Sequence, residues 1–156
     1  MKLSFRPYTL QLKNPFGLAH GSRNTTAIVL TQLEHKGIIG YGEASLPPYH
    51  GETQESVMNF LSRLELEKFE KPLETLTILS HVDKTHTGNN AAKASVDIAL
   101  HDLVGKIQNK PCYQLFSSPL GRSGGVITSY TIAIDDLSTL PRKINEAKNF
   151  KILKIK

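Results

Sequence analysis

The 156-residue sequence contains a single cysteine, Cys112, which excludes an internal disulfide framework and a zinc site built from several cysteines. We expect Cys112 to be a small core residue. The sequence also lacks an apolar run long enough for a signal peptide or a membrane span, so we expect a cytoplasmic protein. Internal repeats and low-complexity tracts are missing as well, and the spacing of the histidines does not suggest a metal site.

Basic residues are in excess, but they are not concentrated. The formal net charge is +5 and the pI is about 9.3. Lysines are mostly single and interleaved with acidic residues, for example over residues 65–71. Because no basic run with interleaved aromatic residues is present, we expect no nucleic-acid partner. A stand-alone basic binding module is still an alternative interpretation.

The first 45 residues have the pattern of an antiparallel meander. Apolar and polar residues alternate over 3–12, and Asn14-Pro15-Phe16-Gly17 is expected to end this strand. Residues 26–33 are rich in β-branched side chains, 34–37 form a hairpin turn, and 38–44 form the returning strand.

Helical patterns follow from residue 53. Thr53 is the expected N-cap of a first helix, and Pro72 suits the first turn of a second. Residues 96–107 place apolar side chains at helical spacing, and nearby alanines allow a close packing partner. The glycine-rich segment 119–125 is the expected domain boundary.

The C-terminal part predicts a strand-helix-strand unit. Its elements are a strand over 126–134, a helix capped by Asp135 or Asp136 that runs through Ala147, and a strand over 152–156. Such a unit is expected to be parallel and right-handed.

Two lysines, Lys154 and Lys156, lie two positions apart on the last of these strands. A strand has a period of two, so both project from one face, while Leu153 and Ile155 project from the other. Two neighbouring ammonium groups repel each other, and burial adds a desolvation cost, so one of them should lose its proton more readily than a free lysine. The alternative interpretation is a solvated basic end of the chain.

Together these features resemble the enolase superfamily, in particular the dipeptide epimerases of its muconate-lactonizing subgroup. The residues that carry the resemblance are Asn14-Pro15-Phe16, Gly40-Tyr41-Gly42-Glu43-Ala44, Tyr49-His50-Gly51-Glu52-Thr53, the helix over 89–106, Thr128-Ser129-Tyr130-Thr131, and Leu153-Lys154-Ile155-Lys156. They cover nearly the whole chain.

The resemblance implies an α+β cap domain, an antiparallel meander followed by helices, that leads into the first strands of a (β/α) TIM-type barrel. We expect the cap domain over 1–120 and the start of the barrel over 121–156. A complete barrel needs about 250 residues, so the barrel is expected to be incomplete in this chain.

The implied activity is a magnesium-dependent isomerase that inverts the α-carbon of a dipeptide. Lys156 would be the catalytic acid/base, and Lys154 would lower the pKa of Lys156 and help hold the substrate carboxylate. The Mg²⁺ ligands and the second base are expected outside this chain, so no residue here is predicted to bind metal, and the chain alone is expected to be inactive. An o-succinylbenzoate synthase or a muconate cycloisomerase of the same subgroup is an alternative.

The resemblance also implies four substrate-binding residues: His20 and Arg23 in a cap loop over 17–25, Tyr49 in a second cap loop over 47–51, and Thr131 on the first barrel strand. Relatives that act on Ala-Glu dipeptides carry an arginine near the position of His20. Here His20 replaces that arginine and Arg23 lies three residues on, so the resemblance does not fix a glutamyl side chain, and a less acidic dipeptide is the alternative. The expected partner is the dipeptide, with no nucleic acid or membrane, and homo-oligomerisation is left open.

Overall fold

A computed structural model describes residues 1–18, 21–47, 50–116 and 127–155. The described elements, in chain order, are β1 (Lys2–Leu18), β2 (Gly21–His35), β3 (Ile38–Ser45), α1 (Gln54–Leu61), α2 (Thr75–Thr85), α3 (Asn90–Gln108), α4 (Cys112–Leu115), β4 (Ser129–Ile132), α5 (Leu140–Glu146) and β5 (Ile152–Ile155). The antiparallel sheet followed by helices confirms the predicted order.

The chain divides into two compact units. Unit 1 consists of Met1–Leu10 and Ala27–Ser118, and unit 2 consists of Gln11–Thr26 and Pro119–Lys156. The C-terminal part of β1 and the N-terminal part of β2 therefore belong to the same unit as the C-terminal elements. The domain boundary predicted near residue 120 stays a prediction.

Unit 1 is built on a sheet with strand order β1-β2-β3. The turn between β2 and β3 has two residues, Lys36 and Gly37, both with positive φ (51° and 80°), as a type I′ hairpin turn requires. The hairpin predicted from the sequence is confirmed at this position.

Helix α3 lies against β3 and forms the centre of the hydrophobic core. Its buried face contains the apolar residues that set the helical pattern, Val96, Ala99, Leu100 and Leu103. Gly40 and Gly42 on β3 face the backbone of α3 so closely that a Cβ at either position would overlap it. The close packing partner expected from the alanines is therefore β3.

The predicted N-cap of the first helix is confirmed. The Thr53 hydroxyl accepts a hydrogen bond from the Ser56 N–H at 3.1 Å, and the Ser56 hydroxyl accepts one from the Thr53 N–H at 2.9 Å. This reciprocal arrangement satisfies two backbone donors at the start of α1.

Four predictions about local structure were wrong. Helix α2 begins at Thr75 after the N-cap residue Glu74, so Pro72 lies before its first turn. Strand β1 continues through Pro15 to Leu18, because β1 lies at the edge of the sheet, where proline is tolerated. Helix α5 begins at Leu140 after the N-cap residue Thr139, not after Asp135 or Asp136. Cys112 is exposed and is not a core residue, since it lies on α4, a short helix with no face packed into the core.

Unit 2 contains a pair of parallel strands, β4 and β5, connected through α5. The parallel pairing predicted for the strand-helix-strand unit is confirmed. Ile132 on β4 is 1% exposed, whereas Ile152, Leu153 and Ile155 on β5 are all partly exposed to solvent.

Candidate functional site

The register of the parallel strands places Thr131 beside Lys154. These two residues are Cα partners, so their side chains project from the same face of the sheet. Ile132 lies on the opposite face of β4 and is buried, whereas Thr131 is half-buried and Lys154 is exposed. The structure therefore brings together a hydroxyl donor and an ammonium group on one face at the carboxyl end of β4.

A cavity of about 290 Å³ lies within unit 2, next to Thr131. Its walls come from the distal part of the β1–β2 pair, from β4 and the residue after it, and from α5. The lining residues are Leu12, Lys13, Asn14, Pro15, Phe16, Arg23, Tyr130, Thr131, Ile132, Ala133 and Lys143. Apolar walls with a few polar groups are typical of small-molecule sites.

All charged residues that line this cavity are cations, but they are not equivalent. Lys13 lies 4.0 Å from a carboxylate oxygen of Glu146, and Lys143 lies 2.7 Å from Oδ2 of Asp135. Arg23 is half-buried, and its guanidinium lies 5.7 Å from the centroid of the Phe16 ring. Among the described residues Arg23 has no carboxylate partner, so it is the cation best suited to bind an anionic ligand.

The ion pair of Lys143 and Asp135 joins a buried lysine to an exposed carboxylate. Lys143 is 6% exposed. The hydrogen bond from Lys143, together with that from the Asp136 N–H, lowers the pKa of Asp135 from 3.8 to about 2. Asp135 is therefore ionised throughout the neutral range.

A carboxylate also supports the segment that precedes α1. Both carboxylate oxygens of Glu52 accept hydrogen bonds from the Ala91 N–H, at 3.2 and 3.1 Å. Ala91 lies in the first turn of α3, where backbone N–H groups have no partner within the helix. Glu52 thus attaches the end of the second predicted cap loop to α3.

The predicted site residues fall into two groups. Thr131 and Arg23 line the same cavity, and Lys154 pairs with Thr131. Arg23 lies on β2 rather than in a loop. His20, Tyr49 and Lys156 lie outside the described residues.

Sequence reasoning missed Lys13 and Lys143. For Lys143 there is a signal in the sequence, because Leu140, Lys143, Ile144 and Ala147 have the i, i+3, i+4, i+7 spacing of one helix face. A lysine on such a face indicates a buried partner.

Within 1–18, 21–47, 50–116 and 127–155, no group of three or more His, Cys, Asp or Glu side chains could hold a metal ion. The described part of the chain therefore does not fit a divalent-metal site. No helix in that part is long and apolar enough to cross a membrane.

Comparison with known proteins identifies the family. Residues 3–117 match the model of the mandelate racemase / muconate lactonizing enzyme N-terminal domain. The chain belongs to this family of the enolase superfamily.

Several relatives of the chain are epimerases. The chain is 47% identical to an L-Ala-D/L-Glu epimerase of Bacteroides thetaiotaomicron, over all of this chain and 40% of the relative. It is 33% identical to an L-Ala-D/L-amino acid epimerase of a Maribacter species, over all of this chain and 45% of the relative. It thus spans less than half the length of either protein.

A solved structure with the same fold is the dipeptide epimerase of Enterococcus faecalis in complex with Mg and L-Leu-L-Tyr. The TM-score is 0.84 at 30% identity, and the match covers 99% of this chain and 44% of that protein.

Proposed function

We propose that the protein containing this chain is a magnesium-dependent dipeptide epimerase. The observation that carries the proposal is the pairing of Thr131 with Lys154 on one face of the β4–β5 pair, with Thr131 lining a cavity that also contains Arg23. The carboxyl end of parallel barrel strands is where this architecture places its chemistry. The epimerases described above support the same reaction class.

The reaction removes a proton next to a carbonyl group, which is difficult because negative charge accumulates on the oxygen. In our proposal Lys154 provides a positive charge near that oxygen, and the Thr131 hydroxyl donates a hydrogen bond to the substrate. Lys156 takes or returns the α-proton on one face. A base on the other face and the Mg²⁺ ligands would come from outside this chain, and we expect the protein to act in the cytoplasm.

We further propose that the preferred dipeptide has an acidic second residue. Arg23 is the cavity cation without a carboxylate partner among the described residues, and it is held beside Phe16. The side-chain carboxylate of an acidic second residue in the dipeptide would pair with Arg23. The alternative, a less acidic dipeptide recognised through His20, predicts no dependence on the Arg23 charge.

The test of the reaction is an NMR time course in D₂O with each epimer supplied separately to the complete protein. Lys156→Ala should abolish epimerisation, because a two-base mechanism needs a proton donor and acceptor on each face. Exchange of the α-proton should survive for the one epimer whose proton faces the other base. Lys154→Ala should slow both directions.

Lys151→Ala is the matched control, since Lys151 is an exposed lysine just before β5, and it should behave as wild type. Equal residual exchange from both epimers in Lys156→Ala, or full activity, would remove Lys156 from the catalytic role.

The test of specificity is the ratio of kcat/KM for Ala-Glu to that for Ala-Leu. Arg23→Met should lower this ratio by about 10- to 100-fold, the effect of losing one charge-assisted hydrogen bond. Arg6→Met is the control, because Arg6 lies on the N-terminal part of β1 and does not line the cavity. An unchanged ratio in Arg23→Met would favour the less acidic dipeptide.

A further inference from the structure

Lys143 is a nearly fully buried lysine outside the groups to which our proposed function gives a role. It lies on α5, a helix of seven residues, is 6% exposed and lines the cavity. Lysines are almost never buried to this extent without a partner. Its partner is Asp135, at 2.7 Å, in the segment that follows β4.

Asp135 connects this lysine to the backbone turn between β4 and α5. Its Oδ1 atom accepts a hydrogen bond from the Asp136 N–H at 2.8 Å. In the same turn the Thr139 N–H and hydroxyl both donate to the Asp136 carbonyl at 2.9 Å. The ion pair therefore joins the interior of α5 to the turn that begins three residues after the end of β4.

Residues 130–133 form one wall of the cavity, and Asp135 follows two residues after this wall. Thr131, Ile132 and Ala133 all line it. The side chain of Ile132 is buried on the face of β4 opposite to the Thr131 side chain, and this burial fixes the residue in place. Beyond Ala133, the contact between Asp135 and Lys143 attaches the chain that leaves the strand to α5.

We propose that Lys143 and Asp135 form a positioning pair, which holds the cavity wall at the carboxyl end of β4 in the geometry that binds the dipeptide. This inference rests on the proposed epimerase function. Neither residue acts on the reacting atoms in this proposal. The ammonium group of Lys143 is neutralised by Asp135, so it adds no free charge to the cavity, and Arg23 is the lining cation without a carboxylate partner among the described residues.

The experiment compares Lys143→Met, Asp135→Asn and the double variant in the complete protein. Lys143→Met keeps the length and apolar part of the side chain but removes the charge. Lys143→Arg keeps the charge, so its KM for the dipeptide should be closer to that of the wild type than the KM of Lys143→Met. Lys148→Met is the control, because Lys148 is an exposed lysine just beyond the end of α5.

We expect each single variant to raise KM for the dipeptide about tenfold, with kcat changed less than about threefold, because the wall contributes to binding the substrate and not to proton transfer. The double variant should be no worse than the single variants, since both remove the same interaction. Amide hydrogen exchange over 131–136 should become faster in these variants and stay unchanged in Lys148→Met.

Two results would overturn the positioning role. One is a lower Tm with unchanged KM and unchanged exchange over 131–136, which would make the pair merely structural. The other is loss of kcat with unchanged KM, which would place Lys143 in the chemical step. If the wild-type protein epimerises no dipeptide, the proposed function fails, and exchange over 131–136 still decides whether the pair fixes this segment.

Discussion

Substituting Gly42 by alanine tests the contact between β3 and α3. A Cβ at position 42 would lie 3.0 Å from the Ala99 nitrogen and from the Ser95 carbonyl carbon, and closer still to the Ser95 oxygen. These atoms belong to a helix backbone, so no side-chain rotation can relieve the overlap. Helix α3 would have to move away from the sheet and lose part of its packing.

The expected cost follows from two opposing effects. Overpacking a core costs about 1–3 kcal/mol, and the upper end applies because the obstacle is backbone. Replacing glycine in a strand returns about 0.5–1 kcal/mol of conformational entropy. We therefore expect Gly42→Ala to lower the free energy of unfolding by about 2 kcal/mol, which corresponds to a Tm lower by about 4–8 °C for a protein of about 150–250 residues.

Gly37 provides the matched control for this prediction. It has φ of +80° and open space around its Cβ position, so alanine there meets backbone strain without overlap. Gly37→Ala should cost about 1 kcal/mol, and Gly37→Asn should be close to wild type because asparagine tolerates this conformation. Thermal and urea unfolding of the complete protein measure all three. A Gly42→Ala variant that is no less stable than Gly37→Ala would refute the reasoning.

Three further predictions concern stability. Thr53→Ala should lower the free energy of unfolding by about 1 kcal/mol, because it removes the acceptor of the Ser56 N–H at the start of α1. Asp102→Ala should cost about 1 kcal/mol, because its Oδ2 accepts a hydrogen bond from the Tyr41 N–H at 2.8 Å; urea unfolding checks both. The pKa of Asp135 is lowered from 3.8 to about 2 on folding, so its stabilisation is present above pH 4 and lost as the pH falls towards 2. The difference in urea midpoint between wild type and Asp135→Asn should shrink over that interval, and a constant difference would contradict it.

Local rules accounted for the parts of unit 1 that could be predicted. The apolar spacing that defines α3, the Thr53 cap and the turn at Lys36 and Gly37 each depend on residues within a few positions of one another. Such signals are present in the sequence before any tertiary contact forms. Lys156 lies outside the described residues, so the shared face of Lys154 and Lys156 stays a prediction from strand geometry.

The predictions that failed depend on partners distant in the sequence. Pro15 would end most strands, but β1 continues past it because it pairs only with β2 on one side. Asp135 is a residue type that often caps helices, but its carboxylate forms an ion pair with Lys143, eight residues further on. Neither outcome is encoded in local propensity, since each is decided by which side chain arrives at a given place in the folded chain.

The placement of Arg23 shows how this changes the functional argument. The resemblance implies a substrate-binding role for Arg23 in an apparent loop, but its charge alone does not separate it from Lys13. In the structure both line the cavity, but Lys13 lies 4.0 Å from a Glu146 oxygen, whereas Arg23 faces an aromatic ring and has no carboxylate partner among the described residues. Charge compensation, rather than charge, therefore distinguishes the residue that should select the ligand. Lys13→Met should consequently change the kcat/KM ratio between Ala-Glu and Ala-Leu much less than Arg23→Met, and an equal change would mean that the cavity attracts anions through its total charge.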